Sequence, residues 1–184
     1  MISRRGFLRT SIAGTCAFCT GYIPFATAVN ASGMDEEEFP AIEAMYYKKL
    51  PDIRVECELC PRACQVADLE RGYCGVRENR NGKYYTLVHS RVCSLNADPI
   101  EKKPLFHYLP GTRAYSIATA GCNIECKFCQ NWQISQFRPE QIEDTIKLTP
   151  EEVVRFAKER SCDTIAYTYS EPVVFYEYMY DTAR

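Results

Sequence analysis

Three closely spaced cysteines after an apolar run constrain this 184-residue chain more than any other feature. Cys122, Cys126 and Cys129 have the spacing C-x3-C-x2-C and follow residues 114–118, which are predicted to be a strand. Thiolates are soft ligands that suit zinc or iron–sulfur clusters. Since a fully protein-ligated cluster takes four cysteines, three thiolates leave one metal position open. The spacing therefore predicts a reactive metal site just after a strand.

Two other interpretations of these cysteines are open, namely half of a zinc site and a group of buried thiols. Zinc sites usually combine C-x2-C pairs with a second pair or with histidines further along the chain. The two histidines, His89 and His107, both lie upstream, and the sequence has no ferredoxin run C-x2-C-x2-C-x3-C-P. A catalytic iron–sulfur cluster is the favoured hypothesis.

The residues Cys122, Cys126, Phe128 and Cys129 resemble the signature of the radical SAM enzymes, C-x3-C-x-(aromatic)-C. The resemblance implies a [4Fe–4S] cluster whose open iron is chelated by the amino and carboxylate groups of S-adenosylmethionine. Reduction then breaks the C5′–S bond and gives a 5′-deoxyadenosyl radical, which takes a hydrogen atom from a substrate. The resemblance also implies that Phe128 lines the adenine and that a one-electron donor such as ferredoxin or flavodoxin is a partner.

Further segments narrow this resemblance to the pyruvate formate-lyase-activating-enzyme-like group called AmmeMemoRadiSam-system radical SAM proteins. The segments that carry it are 57–64, 72–79, 98–107 and 129–135. The resemblance covers about residues 41 to 184. It does not give the substrate, which is an unknown small molecule or protein; a protein glycyl residue is one candidate.

A second set of cysteines, Cys57, Cys60, Cys64 and Cys74, has the spacing C-x2-C-x3-C-x9-C. Four thiolates at this spacing can close around one zinc ion or a second iron–sulfur cluster. Glycines on both sides of Cys74 give the chain freedom to bend back towards such an ion. Reduced structural thiols are the alternative, and the sequence leaves the metal undetermined.

The last third of the chain predicts an α/β fold. Residues 113–118 and 164–168 have the composition of strands, and a helix from 150 to about 160 lies between them. Thr149 and Glu152 form the capping box of that helix. Strand–helix–strand at this separation implies a parallel, right-handed crossover. The resemblance implies that these elements begin a parallel (β/α)6 partial barrel.

Ligands of such folds bind beyond the carboxyl ends of the strands, where the cysteine loop and residues 169–171 are predicted. The resemblance implies that Glu171 holds the amino group of S-adenosylmethionine, as the last residue of a Gly-Gly-Glu-like turn. Tyr169 and Ser170 replace the glycines of that turn. The alternative is that Ser170 or Glu171 only caps the following helix.

The first 31 residues resemble a twin-arginine (Tat) signal. Ser3-Arg4-Arg5 precedes Phe7-Leu8, an apolar run follows, and residues 26–28 offer a small-residue cleavage site. An uncleaved membrane anchor and a misassigned start codon are the alternatives. A signal favours export or membrane association, whereas S-adenosylmethionine and strong reductants are cytosolic resources, so the localisation stays open.

The predicted domains are the signal or anchor at 1–31, a small cysteine-rich α+β segment at 32–112 and the core at 113–184. Only two strands and parts of two helices fit after residue 113, while the resemblance implies six units. We therefore expect the chain to be a C-terminally truncated fragment with an incomplete core.

Within the cysteine-rich segment, residues 40–50 are predicted to form a short amphipathic helix. Asn81-Gly82 is predicted to form a tight turn before a strand at 83–88. Lys102 and Lys103 are predicted to be solvated.

Charge and cysteine content restrict the function classes. A net charge of −2 without a basic stripe argues against nucleic acid as a partner. The eleven cysteines lie in a chain too long, and at spacings too motif-like, for a small disulfide scaffold. A non-catalytic zinc or iron–sulfur module and an electron carrier remain as alternatives to the enzyme.

Overall fold

The computed structural model of the protein describes residues 39–184, so the predicted signal at residues 1–31 lies outside the described range. The strands are Ile42–Glu43 (β1), Tyr47–Lys49 (β2), Val55–Cys57 (β3), Gln65–Val66 (β4), Arg77–Arg80 (β5), Lys83–Thr86 (β6), Arg91–Val92 (β7), Ser94–Pro99 (β8), Arg113–Ala118 (β9), Ile146–Lys147 (β10) and Thr164–Tyr167 (β11). The α-helices are Trp132–Ser135 (α1), Pro150–Glu159 (α2) and Tyr176–Ala183 (α3), and 3-10 turns cover Ile100–Lys102, Pro139–Gln141 and Pro172–Phe175. None of the helices in the described range has the length and apolar character needed to cross a membrane.

Strand β9 is the centre of the sheet that leads into the cysteine loop. β11 pairs with it in parallel, with Thr164 opposite Ala114 and Tyr167 opposite Ile117, which confirms the predicted parallel crossover. β8 pairs antiparallel with the other edge of β9. Because both edges and both faces are covered, every residue of β9 after Arg113 is buried. The described residues thus contain one parallel strand pair within a small mixed sheet, and they show no partial barrel.

Helix α2 begins where its capping box predicts. The Thr149 backbone N–H donates to the Glu152 carboxylate at 2.9 Å, and the Glu152 N–H donates to the Thr149 hydroxyl at 3.3 Å. Pro150 occupies the first helical position, where its missing N–H costs nothing. Val153 and Ala157, one turn apart, are the buried residues of the helix, so its apolar face is the one that packs on the sheet.

The described part of the cysteine-rich segment consists of strands. β1, β6 and β5 form one antiparallel sheet, and β2, β3 and β4 form another. The turn between β5 and β6 is confirmed, since Asn81 and Gly82 both take positive φ, 54° and 74°.

The helix predicted at residues 40–50 is wrong, and so is the α+β character expected of the segment, because residues 39–112 contain strands and one 3-10 turn but no α-helix. Ile42 pairs with Thr86 of β6, and Tyr47 pairs with Cys57 of β3. The stretch is therefore divided between two sheets. Ladder hydrogen bonds to distant strands override the weak local helical pattern.

Two hydrophobic clusters support these sheets. The smaller cluster consists of Ala44, Val55, Cys57, Val66 and Tyr84. The larger one combines Val76, Val88 and Val92 with Tyr115, Ile117, Ala120, Leu148, Val153, Ala157, Val174, Phe175 and Tyr178. Residues 76–92 therefore share a core with the strand–helix–strand unit. The domain boundary at 112/113 stays a prediction.

A buried ion pair links β5 to helix α3. Arg77 and Glu177 are 1% and 2% exposed, and the Arg77 guanidinium donates to the Glu177 carboxylate. The same carboxylate accepts from the Met45 backbone N–H at 2.8 Å, while Arg77 Nε donates to the Val174 carbonyl at 3.3 Å. Each of these buried charges needs the other, because the ion pair offsets the free energy that each group loses when it is removed from water.

We expect Glu177→Gln to lower the free energy of unfolding by about 3–5 kcal/mol, since it leaves the Arg77 cation buried without its counter-charge. Urea denaturation at pH 7 measures this. The matched control is Glu159→Gln at the exposed end of α2, which should change stability by less than about 0.5 kcal/mol. Equal effects of the two substitutions would contradict the role assigned to the buried pair.

Candidate metal centre and adjoining cleft

The cysteine loop, residues 121–129, directly follows β9 and its two-residue extension. Cys122 and Cys129 are half-buried, Cys126 is exposed, and all three thiols are free. The Cys129 N–H donates to the Cys126 carbonyl at 3.1 Å, and Glu125 between the first two cysteines has φ 61°. The loop is thus a tight coil that holds three soft donors on one stretch of backbone.

The donor chemistry of this loop fits an iron–sulfur cluster. The three thiols form no disulfide, and soft thiolates are the ligands such clusters use. Cys129 Sγ lies 3.2 Å from the Ser135 hydroxyl on α1, and Cys122 lines a cavity to which Ser135 also contributes. Within residues 39–184, no three His, Cys, Asp or Glu side chains converge into a metal-ligand arrangement. Binding therefore requires the three side chains to turn towards one another.

Gly121 fixes the start of the loop against the cysteine-rich segment. It has φ 89°, and a Cβ at this position would lie 2.5 Å from Val76 Cγ1 and 2.7 Å from the Cys74 carbonyl. Only glycine permits such a close approach of two backbones. The Gly121 N–H donates to the Ile134 carbonyl at 2.8 Å, and this hydrogen bond ties the start of the loop to helix α1.

Phe128 is 90% exposed, next to the last cysteine. A large aromatic side chain left in solvent contributes nothing to the core, and its position suits contact with a ligand held at the loop.

A cleft of about 730 Å³ adjoins the loop at the carboxyl ends of β9 and β11. It is lined by Lys102, Lys103, Gln130, Asn131, Tyr167, Thr168, Tyr169, Ser170 and Pro172. The Asn131 side chain donates to the Tyr169 carbonyl at 3.0 Å, which ties the end of the loop to the end of β11. The contact between these two regions is the one expected from the sequence, and the volume of the cleft is typical of small-molecule sites.

Glu171 precedes the 3-10 turn Pro172–Phe175 and lies in sequence between Ser170 and Pro172, which line the cleft, but it is not part of the lining itself. Its side chain makes no capping hydrogen bond to that turn, so the alternative role as a helix cap lacks its interaction. Ser170, the other candidate cap, instead donates from its hydroxyl to the Thr119 carbonyl at 2.9 Å. The Glu171 carboxylate is therefore not committed to the local backbone.

Tyr169 occupies a backbone conformation that favours glycine. Its φ is 69°, which is costly for a bulky residue. The phenol O–H of Tyr169 donates to the Asp98 carboxylate, and the Lys103 ammonium lies 4.7 Å from the centre of its ring. These tertiary contacts offset the backbone strain of Tyr169, which a glycine at this position of the expected turn would not have.

Asp98 is the common partner of three residues that line the cleft, Lys102, Lys103 and Tyr169, and sequence reasoning missed it. It is 5% exposed and accepts from Lys102 at 2.9 Å, Lys103 at 2.7 Å and the Ser116 hydroxyl at 2.8 Å. Both lysines pair with Asp98, but the prediction that they are solvated holds for Lys102, whose side chain is 58% exposed, and is wrong for Lys103, whose side chain is 11% exposed. The i,i+4 spacing of Asp98 and Lys102 was the signal available in the sequence.

The electrostatic consequence is a stable carboxylate and a positive cleft. Burial by itself would raise the pKa of Asp98, but hydrogen bonds from Lys103, Tyr169, Lys102 and Ser116 outweigh it and hold the pKa well below its ordinary value. Two ammonium groups facing one carboxylate leave an excess of positive charge. This wall therefore favours an anionic group on the ligand.

The four upstream cysteines meet at a different cavity. Cys57, Cys60, Cys64 and Cys74 all line a space of about 20 Å³, and all are free thiols. Burial raises the pKa of Cys74 to about 11 and also raises those of Cys57 and Cys64. The structure thus brings together all four residues that the spacing singled out.

Comparison with known proteins finds a family match in the last part of the chain. Residues 116–184 match the Radical SAM superfamily, and this range begins within β9 and includes the cysteine loop. The match supports the general radical SAM class and its α/β fold family.

Two relatives of the chain come from Methanocaldococcus jannaschii. Uncharacterized protein MJ0808 is 53% identical over 141 residues, which are 77% of this chain and 42% of that protein. Uncharacterized protein MJ0674 is 30% identical over 113 residues, which are 56% of this chain and 28% of that protein. The chain therefore spans less than half the length of these relatives. No solved structure gives a significant match.

We expect Asp98→Asn to destabilise the protein by about 3 kcal/mol at pH 7, because two lysines lose their buried counter-charge. The lowered pKa means that this carboxylate stabilises the fold above its unfolded pKa of about 4, and that the stabilisation is lost as the pH falls further. Urea denaturation between pH 7 and pH 3 should therefore show a steeper acid loss for the wild type than for Asp98→Asn. Asp144→Asn, at an exposed position, should follow the wild type; parallel curves for all three proteins would contradict the assignment.

Proposed function

We propose that this protein is a radical SAM enzyme in which Cys122, Cys126 and Cys129 hold a [4Fe–4S] cluster and the adjoining cleft binds S-adenosylmethionine. The observation that carries the proposal is the position of the three-thiol loop, which follows β9 and runs into the cleft wall at Gln130. With both groups bound, a one-electron reduction breaks the C5′–S bond and supplies a 5′-deoxyadenosyl radical for hydrogen abstraction from the substrate.

The number of thiols in the loop supports an open iron. Three protein ligands leave one position of a four-iron cluster for the methionine part of S-adenosylmethionine. The Ser135 hydroxyl beside Cys129 is suited to hydrogen-bond the thiolate and to orient it, as outer groups do at metal sites. This role for Ser135 is additional to the three ligands.

The cleft is lined by Lys102 and Lys103, and Glu171 stands next to two of its lining residues in sequence, so charged groups of both signs are available for an amino acid. The uncommitted carboxylate of Glu171 is suited to bind the methionine ammonium. Lys102, whose side chain is 58% exposed despite its contact with Asp98, is suited to attract the methionine carboxylate. The two residues would thus fix the orientation of the methionine relative to the cluster loop.

Phe128 is proposed to line the adenine. Its ring is free to cover a flat ligand, and burying an aromatic surface of this size contributes favourably to binding.

The narrower assignment is an enzyme of the pyruvate formate-lyase-activating-enzyme-like, AmmeMemoRadiSam-system type. Its supports are the motif segments at 57–64, 72–79, 98–107 and 129–135. The electron donor is then a small carrier such as ferredoxin or flavodoxin. The substrate is a small molecule or a protein, with a glycyl residue of a protein as one candidate.

Two alternative functions make different predictions. A non-catalytic metal module would contain zinc or a closed cluster and would not cleave S-adenosylmethionine. A periplasmic electron carrier would show a reversible redox centre that is indifferent to S-adenosylmethionine. The cleft beside the loop favours the enzyme, because neither alternative needs a cavity of ligand size.

We expect the full-length protein, reconstituted anaerobically with iron and sulfide and reduced with dithionite, to convert S-adenosylmethionine to 5′-deoxyadenosine. Cys126→Ala removes one of three ligands and should lower this rate at least about a hundredfold. Chromatographic quantification of 5′-deoxyadenosine measures it. Cys162→Ala, which removes a thiol outside the loop, is the matched control and should retain the rate. Undiminished cleavage by Cys126→Ala would refute the assignment.

We expect Glu171→Gln to weaken S-adenosylmethionine binding about tenfold, because a charge-assisted hydrogen bond is replaced by a neutral one. Equilibrium dialysis with the reconstituted protein gives the affinity, and iron analysis checks that the cluster is retained. Glu159→Gln serves as the control with unchanged affinity. If both variants bind as tightly as the wild type, Glu171 does not hold the methionine ammonium.

A further inference from the structure

The small cavity of the cysteine-rich segment is built from three parts of the chain. Cys57 ends β3, Cys60 and Cys64 lie on the following turn, and Cys74 comes from the next loop. The Cys57 N–H donates to the Cys64 carbonyl at 2.9 Å, which closes this turn on itself. The fold thus collects four thiols from a stretch of 18 residues.

Some of the residues that line the same cavity carry buried polar groups without partners. Seven buried side-chain atoms of residues 39–184 have no hydrogen-bond partner, and three of them belong to cavity-lining residues: Arg77 Nη1, Tyr84 Oη and Asn123 Oδ1. Arg77 and Tyr84 are 1% and 0% exposed. A buried donor without an acceptor is costly, so these groups indicate that something negative belongs there. Asn123 can present its amide N–H₂ instead by a side-chain flip.

Thiolates around a metal ion supply that missing acceptor. A divalent ion with four thiolates keeps an excess of negative charge, which the Arg77 guanidinium balances. Sulfur also accepts from a phenol O–H such as that of Tyr84. Gly72 permits this arrangement, because a Cβ at that position would lie 2.5 Å from Tyr84 Oη.

The cavity has room for one ion. A space of about 20 Å³ between the four cysteines holds a single sphere the size of a water molecule. The four sulfurs are not yet in ligand geometry, and drawing them inward around one ion shrinks the space further. Among metals that bind four thiolates in a closed tetrahedron, zinc is the one that needs no redox partner.

The cysteine-rich segment also holds the cluster loop. Arg62 Nε donates to the Asn123 carbonyl at 2.5 Å, and the Arg62 guanidinium lies 3.4 Å from the centre of the Tyr73 ring. The Tyr73 phenol in turn donates to the Glu125 carboxylate. Asn123 follows Cys122 and Glu125 precedes Cys126, so both contacts act directly beside predicted cluster ligands.

We propose that Cys57, Cys60, Cys64 and Cys74 bind one zinc ion, and that this ion positions the loop carrying Cys122, Cys126 and Cys129. Zinc binding by the four cysteines is independent of the function proposed above. The positioning of the loop by this ion affects catalysis only through that function, and in this respect it rests on it. Zinc fixes the turn that carries Arg62 and the loop that carries Tyr73, and through them the backbone on either side of Ile124.

The first experiment measures metals in the anaerobically purified protein by mass spectrometry. We expect about one zinc per chain, in addition to about four irons after reconstitution. Cys60→Ala should lower zinc about tenfold, whereas Cys162→Ala should leave it unchanged. Cys122→Ser should lose iron and keep zinc, which separates this site from the cluster. Absence of zinc in the wild type, or iron in both sites, would overturn the proposal.

A spectroscopic measurement on the wild type tests the same site without relying on the folding of Cys60→Ala. Replacing zinc by cobalt(II) in the wild type should give intense sulfur-to-cobalt charge-transfer bands and the visible bands of a tetrahedral thiolate site. Cobalt spectra of six-coordinate oxygen ligation would overturn the assignment.

The second experiment tests the loop through hydrogen–deuterium exchange without iron. Removing zinc by chelation should speed exchange of the peptide 121–134 about tenfold, because the contacts of Arg62 and Tyr73 are released. The peptide 150–159 in helix α2 is the internal control and should not change. Equal exchange of 121–134 with and without zinc would refute the loop half. Both readouts hold whether or not S-adenosylmethionine is cleaved.

Discussion

The buried guanidinium of Arg77 is the constraint on which the rest of the described structure depends. It lies on β5, pairs with Glu177 on α3 and reaches the Val174 carbonyl, so it joins the cysteine-rich segment to the last helix. Its remaining Nη1 has no partner and borders the four-cysteine cavity. A cation at 1% exposure is stable only if all surrounding groups compensate it. One side chain thus joins β5 to helix α3 and places a buried positive charge beside the four-cysteine cavity.

The two sets of cysteines lie in environments that suit different chemistry. Cys57 is buried and the other three upstream cysteines are half-buried, with partnerless donors on residues that line the same cavity, which suits a closed ion that only stabilises structure. Cys126 and Phe128 are exposed on the loop that leads into a large cleft, which suits an iron–sulfur cluster that binds a ligand. Gly121 is the point where the two sets come closest, since only a missing Cβ lets its backbone lie against the Cys74 carbonyl. The radical chemistry proposed for one set therefore depends mechanically on the other.

Sequence patterns correctly predicted those elements that are stabilised by residues close to them in the sequence. The Thr149 and Glu152 capping box, the Asn81-Gly82 turn and strand 113–118 all follow from neighbouring residues, and the structure has them. The parallel pairing of β9 with β11 was predicted as well, because handedness and chain length leave few alternatives. The helix predicted at residues 40–50 was wrong because these residues pair with β3 and β6. Both strands are distant in sequence, and a local helical pattern does not reveal them.

Spacing and periodicity were enough to predict which thiols form sets, that a strand leads into the cysteine loop, and that the loop and residues 169–171 meet at one edge of a sheet. Local patterns of this kind do not depend on how the remaining chain is arranged. Three features could be read only from the folded molecule: Asp98 binds Lys102, Lys103, Ser116 and Tyr169, Tyr169 takes a positive φ, and Arg77 lines the cavity of the upstream cysteines. Burial and charge compensation are properties of the surroundings, and the surroundings of a side chain are assembled from segments far apart in sequence.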